Sequence, residues 1–174
     1  MSLCVTIRTR DGGILMAADT AVSTEIDGVR YRVPDLYDEN KIVVLQDKSM
    51  VFCSGEIEKC GKLRSAMRNM QALDLDSLQR YARELFGQNT DDDSSGIVAA
   101  FPDGKLVGML SAQNFTITPI PQNNRGLDYF AFGFRQDEAY KSFETHFAND
   151  ELDGKTPEVL QLIGKVFLTF IARK

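Results

Sequence analysis

Histidine is nearly missing from this sequence. Its one copy among 174 residues, His146, lies in a stretch with helical spacing, which removes most histidine-centred mechanisms. Cysteine is scarce too. Cys4, Cys53 and Cys60 are an odd number without paired-ligand spacing, so they read as reduced thiols rather than a disulfide framework or a zinc site. No apolar run reaches the roughly 18 residues of a membrane span. The longest candidate, residues 159–172, is interrupted by Gln161, Gly164, Lys165 and Thr169. The start has no signal-peptide pattern, so the cytoplasm is the expected compartment and no membrane partner is expected. Excess positive charge is absent as well. The net charge is −5 and the pI about 4.9. The basic residues are scattered (Arg8 and Arg10, Arg30 and Arg32, then Lys62, Arg64 and Arg68), which argues against nucleic acid.

What is present is an ordinary globular composition, 43% hydrophobic and 26% charged, in a length that suits one domain over residues 1–174. Residues 4–10 and 14–19 are β-prone runs around Asp11-Gly12-Gly13, a hairpin signal because glycine supplies the positive φ of a tight turn. The second run is apolar on both faces, which predicts a central, buried strand. Residues 20–38 read as a polar excursion with a small hairpin at Gly28. A second hairpin is expected over residues 41–54, turning at Asp47-Lys48 and ended by Gly55.

Two helices follow. Ile57, Cys60, Leu63, Met67 and Met70 form one apolar stripe, and Leu75, Leu78, Ala82, Leu85 and Phe86 form another. The stripe with Met67 and Met70 reads as core or subunit interface rather than a cofactor box. Residues 89–95 are a polar loop. Its Asp91-Asp92-Asp93 run fans out in different directions and lacks EF-hand spacing, so it reads as solvated and not as a cation site. No metal and no cofactor are expected. Beyond it come a hairpin over residues 96–110 turning at Pro102-Asp103-Gly104, strands over 115–120 and 129–134, and a helix over 137–148. A final helix opens with Thr156 as N-cap and Pro157 at its first position. Strands, two helices, strands, two helices: these blocks predict an α+β, four-layer αββα sandwich, with helices outside two face-to-face sheets.

The segment from Asp11 through Ala17-Ala18-Asp19-Thr20 resembles the first hairpin of proteasome β subunits and of the bacterial HslV protease. Lys41-Ile42 opening a strand is similar to that family's next marker, and Phe52-Cys53-Ser54-Gly55 before a helix resembles its glycine turn. The hairpin over residues 96–110 matches a later one, and Ala131-Phe132-Gly133 looks like its Ala-x-Gly turn. The resemblance runs in order along most of the chain. It implies a proteasome-like member of the N-terminal-nucleophile (Ntn) hydrolases.

In that family an N-terminal Thr, Ser or Cys attacks an amide, with its own α-amine as base. An α-amine of pKa roughly 8 is partly neutral near pH 7. By resemblance, Asp19 and Lys41 sit beside the nucleophile. Lys41 favours the deprotonated nucleophile and amine, Asp19 holds Lys41, and the Gly55 N–H is the oxyanion donor. Each has a plainer reading: Asp19 as a turn cap, Lys41 as a solvated lysine, Gly55 as relief of a tight turn. Counted without a gap from Asp11 the family's first residue falls on Ser2, and counted back from Asp19 it falls on Leu3; Gly13 as a one-residue insertion favours Ser2. If Met1-Ser2-Leu3 is an appended leader, Cys4 becomes the first residue after Met. A third reading has no N-terminal nucleophile at all.

Phe134 stands where the family usually has Ser. The chain stops at Lys174 after a helix, so the family's following segment is expected to be lacking. Three functions follow. One is a proteasome-type hydrolase of peptide or acyl-amide substrates. Another is a non-catalytic scaffold or interaction subunit, and a third is a Cys-type small-molecule amidase. By analogy with the family's rings, a homo-oligomer is expected.

Overall fold

The computed structural model describes residues 2–8, 13–19, 23–27, 29–32, 40–87, 95–121, 128–133 and 136–147. The alternation of β1 (Leu3–Arg8) sets the layers. Leu3, Val5 and Ile7 point one way and pack with Ala131, Ala139 and Phe143. Cys4 points the other way and meets Met16, Phe52, Val98 and Leu106. A period of two therefore feeds two different cores from one strand.

β1 is the middle of a three-stranded antiparallel sheet with β2 (Ile14–Ala18) and β10 (Asp128–Gly133) on its flanks. Helix α3 (Gln136–Phe147) covers its outer face. The second sheet has five antiparallel strands in chain order: β5 (Ile42–Val44), β6 (Met50–Ser54), β7 (Gly96–Ala100), β8 (Leu106–Leu110) and β9 (Thr118–Pro119). One face meets the first sheet. The other, carrying Val51, Ile97 and Val107, packs on α1 (Ile57–Arg68) and α2 (Leu75–Phe86). The layers are α3, sheet, sheet, α1 with α2, the αββα sandwich that the block order predicts.

Helix α1 buries Cys60, Leu63 and Met67 as the stripe requires, and also Arg64. Helix α2 buries Leu78, Ala82 and Phe86, and its N-cap Asp74 accepts from the N–H groups of Asp76 and Ser77. The small hairpin at residue 28 is present as β3 (Ser23–Ile26) and β4 (Val29–Arg32), with Asp27 at φ 52° at its turn. Positive φ at Lys48 (70°) likewise turns β5 into β6.

Two expectations are corrected. β2 flanks its sheet and is mostly half-buried, while the central and wholly buried strand is β1. β2 does face two cores, Ile14, Met16 and Ala18 on one side and Leu15 and Ala17 on the other, but it stands at the flank of the sheet, where only Met16 is fully buried. The strand expected over residues 115–120 is reduced to Thr118–Pro119. A 3-10 turn at Ser111–Gln113 is followed by Asn114 and Phe115, both at positive φ. This reversal drives the buried Phe115 ring against Phe86, 5.5 Å between centroids, so burial of one aromatic outweighs strand continuity. The Asp11-Gly12 turn, Pro34, Asp91 to Asp93, Phe134, the His146 side chain and the helix from Thr156 lie outside the described residues.

Candidate functional site

Antiparallel pairing gathers several chain segments at one end of the sandwich: the start of β1, the ends of β2 and β10, the start of β5 and the end of β6. Cys4 pairs with Ala18, which sets Leu3 against Asp19. Asp19 N–H donates to the Leu3 carbonyl at 3.1 Å. Its carboxylate Oδ1 accepts from Leu3 N–H at 2.8 Å. Leu3 is thus held from both backbone groups, and Ser2 is the residue left projecting beyond the ladder.

Lys41 reaches this point from the entry to β5. Its Nζ donates to Ser2 Oγ at 2.9 Å and to Asp19 Oδ2 at 3.2 Å. The side chain is only 6% exposed. A lysine that merely solvated a strand end would keep its ammonium in water. Burial instead makes the carboxylate partner obligatory, because an unpaired buried ammonium is very costly. Asp19 accordingly has a double task. One oxygen fixes the first turn of chain after Ser2, and the other holds the cation that touches the Ser2 hydroxyl.

Glycine is required on two sides of this end. Gly133 lies opposite Leu3 with φ at 108°, and a Cβ there would overlap the Ser2 carbonyl oxygen. Gly55, with φ at 142°, closes β6, and a Cβ there would overlap the Ser95 hydroxyl. Its turn hands the chain to α1 at the same end of the second sheet as Lys41, since Ile42 pairs with Phe52. The tight-turn reading of Gly55 therefore has a physical basis in the close approach of buried Ser95.

Cys4 is placed differently. It lies on the inner face of β1, 1% exposed, in the core between the sheets. Burial raises its thiol pKa far above the usual range, and the nearby Asp19 charge raises it further. The structure brings Ser2, Asp19 and Lys41 into direct contact, sets Gly55 at the same end, and keeps Cys4 beneath them in an environment that opposes a thiolate. Gly133 and Ser95 were not legible as site residues. The Ala131-Phe132-Gly133 turn is visible in the sequence, but its contact with Ser2 arises only when β10 pairs with β1.

Among the described residues no cluster of His, Cys, Asp or Glu is arranged to hold a metal ion. No helix among them is long and apolar enough to cross a membrane. What the arrangement can do chemically is lower the cost of negative charge on Ser2 Oγ, through an ammonium already in hydrogen-bond contact.

No protein-family model matches the chain, and no curated protein does. Solved structures do. Anbu (ancestral beta-subunit) from Yersinia bercovieri superposes with a TM-score of 0.67 at 12% identity, covering 94% of this chain and 72% of its own. The Gly-1 mutant of Anbu from Hyphomicrobium sp. strain MC1 gives 0.68 at 12% identity, with coverages of 99% and 76%. Thiobacillus denitrificans BPH in complex with epoxomicin gives 0.55 at 20% identity, with coverages of 83% and 79%. At these identities the likeness is one of fold. The chain has the proteasome-like Ntn-hydrolase fold, and these matches do not single out HslV.

Proposed function

We propose that this chain is a hydrolase of amide bonds in peptides, with Ser2 as its N-terminal nucleophile once Met1 is removed. The observation that carries the reading is the 2.9 Å contact from buried Lys41 Nζ to Ser2 Oγ, with Asp19 fixing the lysine. Ser2 is preferred to Cys4 because Leu3 is locked into the ladder through Asp19, while the Cys4 thiol is buried between the sheets.

The freed α-amine of Ser2 takes the Oγ proton, directly or through water, and Oγ attacks the substrate carbonyl. Lys41 stabilises the developing charge on Oγ. The Gly55 N–H is the proposed donor to the oxyanion, at the end of the sheet where the substrate carbonyl would lie. The protonated amine then delivers its proton to the leaving amine, and water releases the acyl group from Ser2. Asp19 acts by orienting Lys41.

That one structural neighbour is an ancestral beta-subunit supports a further part of this reading, that copies of the chain assemble into a homo-oligomer. No nucleic-acid or membrane partner is proposed, and the cytoplasm is the proposed compartment.

The test is the intact mass of the natural protein, followed by hydrolysis of fluorogenic peptide amides by wild type, Ser2→Ala and Ser2→Thr. The expected result is a chain lacking Met1, activity in wild type and Ser2→Thr, and none in Ser2→Ala. A processed wild type no more active than Ser2→Ala would overturn the hydrolase and leave a scaffold subunit. Activity that survives Ser2→Ala but not Cys4→Ala would move the nucleophile to Cys4.

A further inference from the structure

Two thiols meet under the Gly55 turn. Cys53, near the end of β6, and Cys60, in the first turns of α1, place their Sγ atoms 3.0 Å apart, and neither is in a disulfide. Both side chains are buried in the core between the second sheet and its helices. The segment they bracket contains Ser54, Gly55 and Glu56, the link that aims the Gly55 N–H.

We propose that Cys53 and Cys60 form a reversible disulfide under peroxide, and that this bond repositions the Gly55 turn. The coupling to catalysis rests on the hydrolase reading above; the bond itself does not.

The chemistry balances with hydrogen peroxide as the two-electron oxidant. One cysteine gives up its proton and, as thiolate, attacks a peroxide oxygen; the hydroxide that leaves takes up that proton, so the products are a sulfenic acid and one water. The second attacks that sulfur, expels a second water and closes the S–S bond. The oxidised products are the two cysteine sulfurs, and the peroxide is reduced to two waters. A thiol reducing agent reverses the step by exchange.

The hydrogen bond with Cys60, and burial after it, push the Cys53 thiol up, so the closed protein reacts slowly. Access comes through the start of α1. Its N-cap, Glu56, makes no side-chain capping hydrogen bond, and residues 55–58 are exposed. A helix start lacking that cap opens more readily than the body of the helix.

Closing the contact from 3.0 Å to a covalent length of ~2.05 Å draws the start of α1 toward β6 by on the order of 1 Å. Gly55 has little room to absorb that shift, since even a Cβ at this position would overlap the Ser95 hydroxyl. A displacement of that size in an oxyanion donor lowers turnover by roughly tenfold or more.

The experiment treats the folded, full-length protein with hydrogen peroxide, alkylates remaining thiols in denaturant, and digests with trypsin. Cleavage after Lys48, Lys59 and Lys62 separates the cysteines onto peptides 49–59 and 60–62. The expected product is these two peptides joined by a disulfide, with Cys4 alkylated. Hydrolysis should fall at least about tenfold and return with dithiothreitol. The Gly55 amide resonance should shift on oxidation. Cys60→Ala and Cys53→Ala should each abolish both responses to peroxide.

Full alkylation of all three cysteines, or a bond involving Cys4 or a second chain, would overturn the proposal. A mapped 53–60 bond that leaves the Gly55 resonance unchanged would overturn the coupling. If the protein hydrolyses nothing, the peptide map and the resonance still decide this inference, while the hydrolase reading fails separately.

Discussion

Lys41 is the residue whose surroundings decide most. Replacing it by Met keeps the volume and removes the cation, leaving the Asp19 carboxylate without its partner. Peptide-amide turnover is expected to fall on the order of 10²-fold, with KM nearly unchanged, as steady-state kinetics would read. Gly133→Ala tests the seat of Ser2 from the other side. The added methyl meets the Ser2 carbonyl, and φ at 108° is a conformation that alanine resists. It should cost about 1–3 kcal/mol in denaturant unfolding and lower turnover in parallel. Arg8 ties two parts of the fold together. Its Nη1 and Nη2 donate to the carbonyls of Ile120 and Pro121 at 3.1 and 2.6 Å, tying β1 to the chain that leaves β9. Arg8→Met strands those carbonyls and should destabilise by about 2–4 kcal/mol. Asp19 and Lys41 were nameable from the sequence because short motifs surround them. Arg8 was not, because nothing local distinguishes a buried arginine from a solvated one.

Turn and cap residues tie the elements together. Asp47, in the turn from β5 to β6, accepts from Ser49 N–H, Ser49 Oγ and Leu73 N–H, so it links that hairpin to the connection between α1 and α2. Partial burial alone would raise its pKa, but these hydrogen bonds together outweigh it and hold the carboxyl below the ordinary value of 3.8. The folded-state pKa is depressed, so the stabilisation is present above the unfolded value and is lost as pH falls through the folded one. Asp47→Asn should therefore lower the urea midpoint at pH 7, and the gap to wild type should close below about pH 4. Asp74→Ala removes the α2 N-cap and should lower the urea midpoint slightly. Both helices were legible to within a residue or two, since apolar spacing and caps are local signals. The short β9 was not, because Phe115 leaves the strand to fill a core that no local pattern reveals.

Assembly belongs to the whole molecule. Val44 on β5 and Ile57 at the start of α1 are exposed, at 60% and 38%, on the second sheet's edge and its helical layer. Multi-angle light scattering of the natural protein should give a mass several times that of one chain; a monomer at micromolar concentration would remove the homo-oligomer from the reading. The sequence by itself determined the order of elements, the two-sided burial that calls for facing sheets, and Asp19, Lys41 and Gly55 as candidates. Those follow from periodicity, turn chemistry and short motifs, all written within a few residues. Only the tertiary structure decided that Ser2 rather than Cys4 meets Lys41, that β1 rather than β2 is central, and that Gly133 seats the Ser2 carbonyl. Each depends on strand register between distant segments, and a shift of one residue reverses which side chain faces the core.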